Sequence, residues 1–188
     1  GNIVFSTQQD GTNYETKCTV SQYDYEQEED SYLTLQRHSK GSGIDIVFVG
    51  DGWDGQTISD DSYLNLVKYQ TECFFAIEPY KSMRDYFNVY VTFPLSQEQG
   101  VNTMYTYVNN HFGTLQGSSA FINNLTSAQL ITENDLVAEY VIQKTPVAAN
   151  CLYRTLVILV PNATGYEGNT QFRDDGFTLS ICPPSENA

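Results

Sequence analysis

"IDIVFVGDGWDG" (residues 44–55) joins a short apolar run to a turn that is rich in glycine and aspartate. The run is β-branched and mostly apolar, which is typical of a strand buried on both faces of a sheet. The three glycines match G-x-G-x-x-G, the phosphate-holding turn of dinucleotide-binding folds. The stretch therefore predicts the first buried strand of an α/β sheet and leaves open what its turn does.

The residues after the turn predict a helix and then a second strand. Ser59 is the candidate N-cap of the helix. Apolar residues then recur at helical spacing, and Pro79 is expected to end the helix near Glu78. The run "FNVYVTF" (residues 87–93) follows as a strand. This order predicts a βαβ unit with two parallel strands and a right-handed crossover.

The second half of the chain continues the same alternation of strands and helices. Residues 101–115 suggest a hairpin that turns at Asn109 and Asn110. Thr132 and Asp135 resemble a capping box that opens a helix over residues 133–143. "RTLVILVPN" contains a third buried strand at 155–160, and "FTLSICP" (177–183) predicts a final strand.

The glycine turn does not fit a nucleotide site when its surroundings are considered. The helix is expected to begin several residues too late, and no carboxylate follows at the position that would bind a ribose. Four aspartates would crowd a phosphate with negative charge, namely Asp51, Asp54, Asp60 and Asp61. Calcium binding by Asp51 and Asp54 is an alternative, but the spacing of a calcium loop is not met. We therefore predict a structural turn whose three glycines supply positive φ angles or close backbone approach.

Composition and motifs limit the remaining functions. The 188 residues suit one domain, and a net charge of −14 opposes binding to nucleic acid. No apolar run is long enough to span a membrane, and the four cysteines form no C-x-x-C pair. His38 and His111 stand alone, without the His-Glu-x-x-His of a zinc protease, and no G-x-S-x-G elbow is present. The residues themselves thus indicate no catalytic and no metal-binding side chain.

Three blocks of sequence, taken in order, resemble one known family. They are "LQRHSKGSGIDIVFVGDGW", "ECFFAIEPYKSMRDYFNVYVTFPLSQEQGV" and "LVILVPN". Together they are similar to the bacterial IgA-peptidase-type zinc metallopeptidases, which are secreted or surface-attached zincins. The matching residues of the second block are Phe74, Phe75, Glu78, Pro79, Tyr80, Arg84, Tyr86, Phe87, Asn88, Val89 and Tyr90. The resemblance runs from about Leu33 to the end of the chain.

The resemblance implies a fold and a division of the chain. The fold would be α/β, a zincin-like mixed sheet with parallel strands, crossover helices and an antiparallel edge strand. Residues 1–32 would be an N-terminal extension or linker, and 33–188 the N-terminal portion of the peptidase domain. The His-Glu-x-x-His helix would lie outside the chain, so zinc is expected in the parent protein and no cofactor in this chain.

The resemblance also implies a function. The chain would be half of a zinc metalloendopeptidase that acts on protein substrates outside the cytoplasm, and it would be inactive and prone to self-association alone. Because zincins bind extended peptides along an edge strand, we predict substrate binding by Gly176, Phe177, Thr178, Leu179 and Ser180. The alternative is a non-catalytic extracellular module that binds protein or glycan. Neither a nucleotide nor nucleic acid is expected as a partner.

Overall fold

The computed structural model describes residues 32–103, 105–117 and 129–185, and the backbone of strands at 2–9, 12–19 and 27–28. The strands are β1 (Asn2–Gln9), β2 (Thr12–Thr19), β3 (Gln27–Glu28), β4 (Tyr32–Gln36), β5 (Ile44–Asp51), β6 (Phe87–Thr92), β7 (Leu115–Gln116), β8 (Leu130–Ile131), β9 (Leu156–Pro161), β10 (Asn169–Phe172) and β11 (Thr178–Ile181). The α-helices are α1 (Gly55–Ser59), α2 (Ser62–Phe75) and α3 (Asn134–Lys144). Short 3-10 helices span Arg84–Tyr86 and Ala149–Arg154.

A mixed sheet forms the centre of the described chain. Its seven strands within those residues follow the order β10-β11-β9-β5-β6-β4-β3. The four strands β5, β6, β9 and β11 are parallel, whereas β4 and β10 run antiparallel to their neighbours. The predicted α/β class, the parallel strands and the presence of an antiparallel edge strand are therefore confirmed. The strands β1 and β2, from the predicted extension, pair with each other in a separate two-stranded sheet.

Helices cover the two faces of the sheet, and each face has its own core. On one face, α2 contributes Tyr63, Val67 and Phe75 to a core with apolar residues of β5, β6 and β9. On the other face, α3 contributes Val137 and Val141 to a core with the alternate residues of the same strands and of β11. The near-continuous apolar runs of β5 and β9 arise because these strands are buried on both sides. We call these two sides the α2 face and the α3 face.

The helix boundaries differ from the predicted ones. Ser59 does not cap the long helix, because it ends the separate short helix α1, which Asp54 caps by accepting a hydrogen bond from the backbone N–H of Thr57 (3.0 Å). Helix α2 ends at Phe75, a turn earlier than predicted. None of the described helices is long and apolar enough to cross a membrane.

The predicted capping box and hairpin are both wrong. The hydroxyl of Thr132 donates to the carbonyl oxygen of Phe112 (3.0 Å) instead of capping α3, and the N-cap residue is Glu133. The described residues between 101 and 115 form an irregular loop, and β7 at its end pairs with β8. Both predictions were made from short windows of sequence. They were wrong because the residues form hydrogen bonds with partners that lie far away in the sequence.

The segment after α2 is held by Arg84, the arginine of the matching second block. Its guanidinium forms two hydrogen bonds with the Glu72 carboxylate (2.8 and 2.6 Å) and one with Gln36 Oε1 (2.8 Å). It also lies 4.7 Å from the centre of the Phe75 ring. A planar, bidentate arginine pair of this kind fixes orientation as well as charge. The matching residues here connect α2, β4 and β6 and have a structural role.

Candidate functional site: the free edge of the sheet

The last strand of the sheet is not its edge. Strand β11 pairs antiparallel with β10 on one side and parallel with β9 on the other, so its backbone groups are used on both sides. The prediction that Gly176 to Ser180 form the edge strand is therefore wrong. Among the described strands, the edge on this side of the sheet is β10, the preceding arm of the hairpin, and the edge on the other side is β3. Substrate binding by Gly176, Phe177, Thr178, Leu179 and Ser180 stays a prediction, but backbone pairing with substrate would have to use β10.

Two residues of β10 have their backbone groups directed away from the sheet. The N–H of Arg173 donates to the carbonyl oxygen of Phe177 (3.0 Å), which sets the alternation of hydrogen-bonded pairs in the hairpin. The pairs Phe172–Thr178 and Thr170–Ser180 then fall at the non-hydrogen-bonded positions. On β10, the N–H and C=O groups of Thr170 and Phe172 consequently point outward, and no strand of the described residues pairs with them.

The opposite side of β11 supports this assignment independently. The N–H of Cys182 donates to the carbonyl oxygen of Leu159 in β9 (2.9 Å). Even-numbered residues of β11 therefore direct their backbone groups toward β9, and odd-numbered residues direct theirs toward β10. The pairs that β10 and β11 share through hydrogen bonds are thus Asn169–Ile181 and Gln171–Leu179.

The side chains of β10 alternate between the two faces of the sheet. On the α3 face, Asn169 and Gln171 donate from their side-chain amides to the carbonyl oxygen of Leu130 in β8 (2.7 and 3.4 Å). On the α2 face, the Thr170 and Ser180 hydroxyl oxygens are 3.3 Å apart, and Phe172 is 77% exposed. One face of the strand is thus anchored to the protein, and the other is open.

The open part of the α2 face extends from β10 across β11. The exposed Thr170 and Phe172 lie beside Thr178 and Ser180, which are only half-buried. Helix α2 reaches the far end of this region, where the Gln70 side chain donates to the carbonyl oxygen of Cys182 (3.2 Å). In contrast, Phe177 and Leu179 are buried in the core of the α3 face. The predicted substrate-binding residues are therefore divided between an open face and a buried one.

The tip of the β10–β11 hairpin is fixed by charged residues. The Arg173 guanidinium donates to Asp175 from Nε (2.9 Å) and to Asp135 of α3 from Nη1 (2.7 Å), and it lies 5.0 Å from the Phe177 ring centre. The Asp175 carboxylate also accepts the backbone N–H of Phe177 (3.1 Å). The hydrogen bond from Arg173 lowers the pKa of Asp175 to about 2. These contacts hold the free edge in a defined orientation.

Lowering the pH from about 4 to about 2 is expected to loosen this hairpin tip. The lowered pKa of Asp175 means that its ionised carboxylate stabilises the fold at pH values above 3.8, the ordinary pKa of the group. That stabilisation is lost as the pH falls through about 2. A ¹³C NMR titration of the Asp175 carboxyl carbon measures the pKa directly. The variant Arg173→Met should return the pKa toward 3.8, and an equal pKa in the two proteins would contradict the assigned cause.

The glycine turn lies elsewhere, at the carboxyl end of β5, and is organised by Asp51. This side chain is completely buried, and its Oδ1 accepts backbone N–H groups of Gly52 (3.0 Å), His111 (2.7 Å) and Phe112 (3.1 Å). Its Oδ2 accepts the N–H of Thr114 (3.1 Å). The protein's own backbone thus occupies the carboxylate, which supports the predicted structural turn. Sequence reasoning missed the role of Asp51, because three of its four backbone partners are some sixty residues away.

Two premises about this turn need correction. A helix does open at the end of the motif, since α1 begins at Gly55, but the Asp54 carboxylate caps its N-terminus. The hydrogen bond from the backbone N–H of Thr57 lowers the pKa of Asp54, and Gln99 adds a side-chain hydrogen bond (3.0 Å). Among the motif glycines, Gly52 has a positive φ of 74°, and a Cβ at Gly50 would lie 2.9 Å from Trp53 Cδ1, whereas Gly55 shows neither feature. The absence of a nucleotide stays a prediction.

The histidines and cysteines do not converge on a metal site in the described part of the chain. The ring Nδ1 of His38 is 2.9 Å from Asn88 Oδ1, and that of His111 is 3.1 Å from the carbonyl oxygen of Leu95. Cys73, Cys151 and Cys182 are not joined in disulfides. Across residues 32–103, 105–117 and 129–185, no three His, Cys, Asp or Glu side chains are grouped to hold a metal ion.

The comparison with protein families connects this sheet to a function. The family described as IgA peptidase M64 matches residues 33–181, which begin in β4 and end with β11. The chain belongs to this family. The match confirms the suspected resemblance and identifies a peptidase-type domain of the metallopeptidase class. No curated protein matches the chain. The IgA peptidase M64 match includes both the Asp51 turn and the free edge at β10.

Proposed function

We propose that the chain supplies the substrate-binding sheet of a zinc metalloendopeptidase, and that an extended peptide adds a strand to the free edge of β10. The observation that carries the proposal is the outward direction of the Thr170 and Phe172 backbone groups in a peptidase-family sheet. Backbone pairing with a sheet edge supplies affinity without requiring a particular side chain, which suits an enzyme that acts on proteins. The hydrogen bonds from Asn169 and Gln171 hold the strand in place for pairing.

The zinc ion and its ligands are part of this proposal, and they are not found among the described residues. The His-Glu-x-x-His residues that the family resemblance implies outside this chain would hold the zinc, and the chemistry supplied there would be the activation of water for peptide hydrolysis. The described residues do not fit a zinc site, because they contain no suitable group of ligands. We therefore assign no catalytic step to them and expect the isolated chain not to hydrolyse peptides. The open part of the α2 face and the edge of β10 are also the surfaces through which a second copy would associate.

The gene sequence separates this proposal from a non-catalytic binding module. A reading frame that continues past Ala188 into His-Glu-x-x-His supports the peptidase, and one that ends there removes it. Export from the cytoplasm is part of the same proposal, since the family resemblance implies secreted or surface-attached proteins. Cell fractionation with an antibody against the chain tests the location.

Replacing Thr170 with proline is expected to lower kcat/KM of the full-length gene product for a protein substrate about tenfold. Proline lacks the N–H that Thr170 directs outward, so the substrate loses one hydrogen bond and meets the ring. Proline is tolerated at edge positions whose N–H faces solvent, so the sheet itself should persist. Kinetics on the purified Thr170→Pro protein give the measurement, and circular dichroism verifies its fold.

The matched control is Thr170→Val, which keeps the backbone N–H and the shape of the side chain. It should retain kcat/KM within about twofold, because a surface substitution of this kind changes little. If Thr170→Pro were folded and as active as the Thr170→Val protein, substrate would not pair with this edge, and the proposed binding mode would be withdrawn.

A further inference from the structure

We infer that Phe172 selects the substrate, and that the preferred peptide carries an apolar, β-branched or aromatic residue opposite it. This inference rests on the proposed function, since it assumes that a peptide pairs with β10. It adds a chemical preference at one position of the peptide and assigns that preference to a single side chain.

The register of the hairpin determines which substrate side chain meets Phe172. The backbone groups of Phe172 point outward, so an antiparallel peptide forms a hydrogen-bonded pair with this residue. Side chains of directly paired residues lie on the same face, with Cβ atoms roughly 5.5 Å apart. The peptide residue opposite Phe172 therefore directs its side chain onto the α2 face, beside the phenyl ring.

Phe172 is the side chain of β10 that is available for such a contact. The ring is 77% exposed to solvent. The other side chains of the strand already have partners, since Asn169 and Gln171 bind Leu130 and Thr170 lies against Ser180. A peptide side chain that covers the ring would remove apolar surface from water, which favours binding.

The chemistry of the ring defines the preference. Aromatic and β-branched residues form the favourable cross-strand pairs with an aromatic side chain. Aspartate and glutamate would lose hydration and face the negative surface of the ring. The neighbouring Arg173 does not compensate, because Asp135 and Asp175 already bind its guanidinium. Acidic residues are therefore the class that we expect to be rejected at this position.

A position-scanning library of internally quenched peptides tests the inference on the full-length gene product. Wild-type protein should show one position at which Val, Ile, Phe and Tyr are cleaved about tenfold faster than Asp and Glu. Phe172→Thr should reduce that ratio to below about twofold at this position and leave the other positions unchanged. Phe172→Leu should retain most of the preference, because leucine restores an apolar surface.

The control variant is Tyr105→Ala, which removes a residue that is 91% exposed in the irregular loop after β6 and outside β10. It should leave the profile unchanged. If the Phe172→Thr protein cleaved the library with the wild-type profile, the inference would be overturned while the peptidase proposal stood. If the wild-type protein cleaved no peptide although zinc was bound, the proposed function and the inference would both fail.

Discussion

Replacing Asp51 with asparagine is expected to lower the free energy of unfolding by about 3 kcal/mol. The carboxylate is completely buried and accepts backbone N–H groups of four residues. Asparagine keeps the shape but replaces one oxygen with an NH₂ group, which donates. If the remaining oxygen stays at the Oδ1 position, the NH₂ group meets the N–H of Thr114, and a buried donor loses its acceptor. Each such loss costs about 1–3 kcal/mol, and the bonds that remain lose the contribution of the negative charge.

Urea unfolding measures the effect, and the midpoint should fall by about 1 M or more. Native-state hydrogen exchange should locate it, because the amides of His111, Phe112 and Thr114 should exchange faster in the variant. Asp174→Asn removes the same charge from an exposed residue and should change stability by less than about 0.5 kcal/mol. Equal stability of the Asp51→Asn and Asp174→Asn proteins would show that the carboxylate does not organise the loop.

The centre of the sheet was predictable because its signals are local. The apolar runs in β5 and β9 indicate strands that are buried on both faces, and the structure pairs them with each other. Likewise, an apolar helical face between two strands predicts a parallel pair, and β5 and β6 are parallel. These features depend on which residues of a short segment are buried, and the spacing of apolar residues in the sequence indicates that burial.

The edge of the sheet was assigned to the wrong strand because its signal is weak. The residues of β10, "NTQF", are mostly polar and number only four, so they resemble a loop. The residues of β11, "TLSI", alternate in burial and are framed by apolar neighbours, which is consistent with an interior strand. The family resemblance implied an edge strand just before the zinc helix, and Gly176 to Ser180 match that position in the chain. A better signal was polarity, since natural edge strands are short and polar to avoid unwanted pairing.

The role of the glycine turn could be only partly predicted. The tight turn was expected from its glycines, but three of the four backbone partners of Asp51 lie beyond β6 in a loop without a recognisable pattern. Nothing within ten residues of Asp51 indicates that its carboxylate would be buried. The family resemblance included Gly50, Asp51, Gly52 and Trp53, and the structure now gives these residues a physical role in joining β5 to the loop.

Replacing Gly52 with alanine is expected to lower the free energy of unfolding by about 3–5 kcal/mol. A Cβ atom at this position would lie 2.2 Å from the carbonyl oxygen of Gly100 and 2.8 Å from its carbonyl carbon. These are backbone atoms, so a side-chain rotation cannot relieve the overlap. Gly52 also has a φ of 74°, at which alanine is strained. Any displacement would disturb the Gly100 N–H to Gly52 C=O hydrogen bond (3.0 Å), which joins the turn to the loop.

Two other glycines serve as graded controls for the overlap. Gly100→Ala places a Cβ in open space at a φ of 101°, so it should show the backbone strain alone, about 1–2 kcal/mol. Gly55 is the first residue of α1, and a Cβ at this position would lie 3.9 Å from Leu95 Cδ1. Gly55→Ala should therefore be neutral or stabilise the protein by up to about 1 kcal/mol. Urea unfolding of the three variants should therefore rank Gly52→Ala as the most destabilised, followed by Gly100→Ala and then Gly55→Ala. If Gly52→Ala were no less stable than Gly100→Ala, the close approach of the two backbones would not be what requires a glycine in this motif.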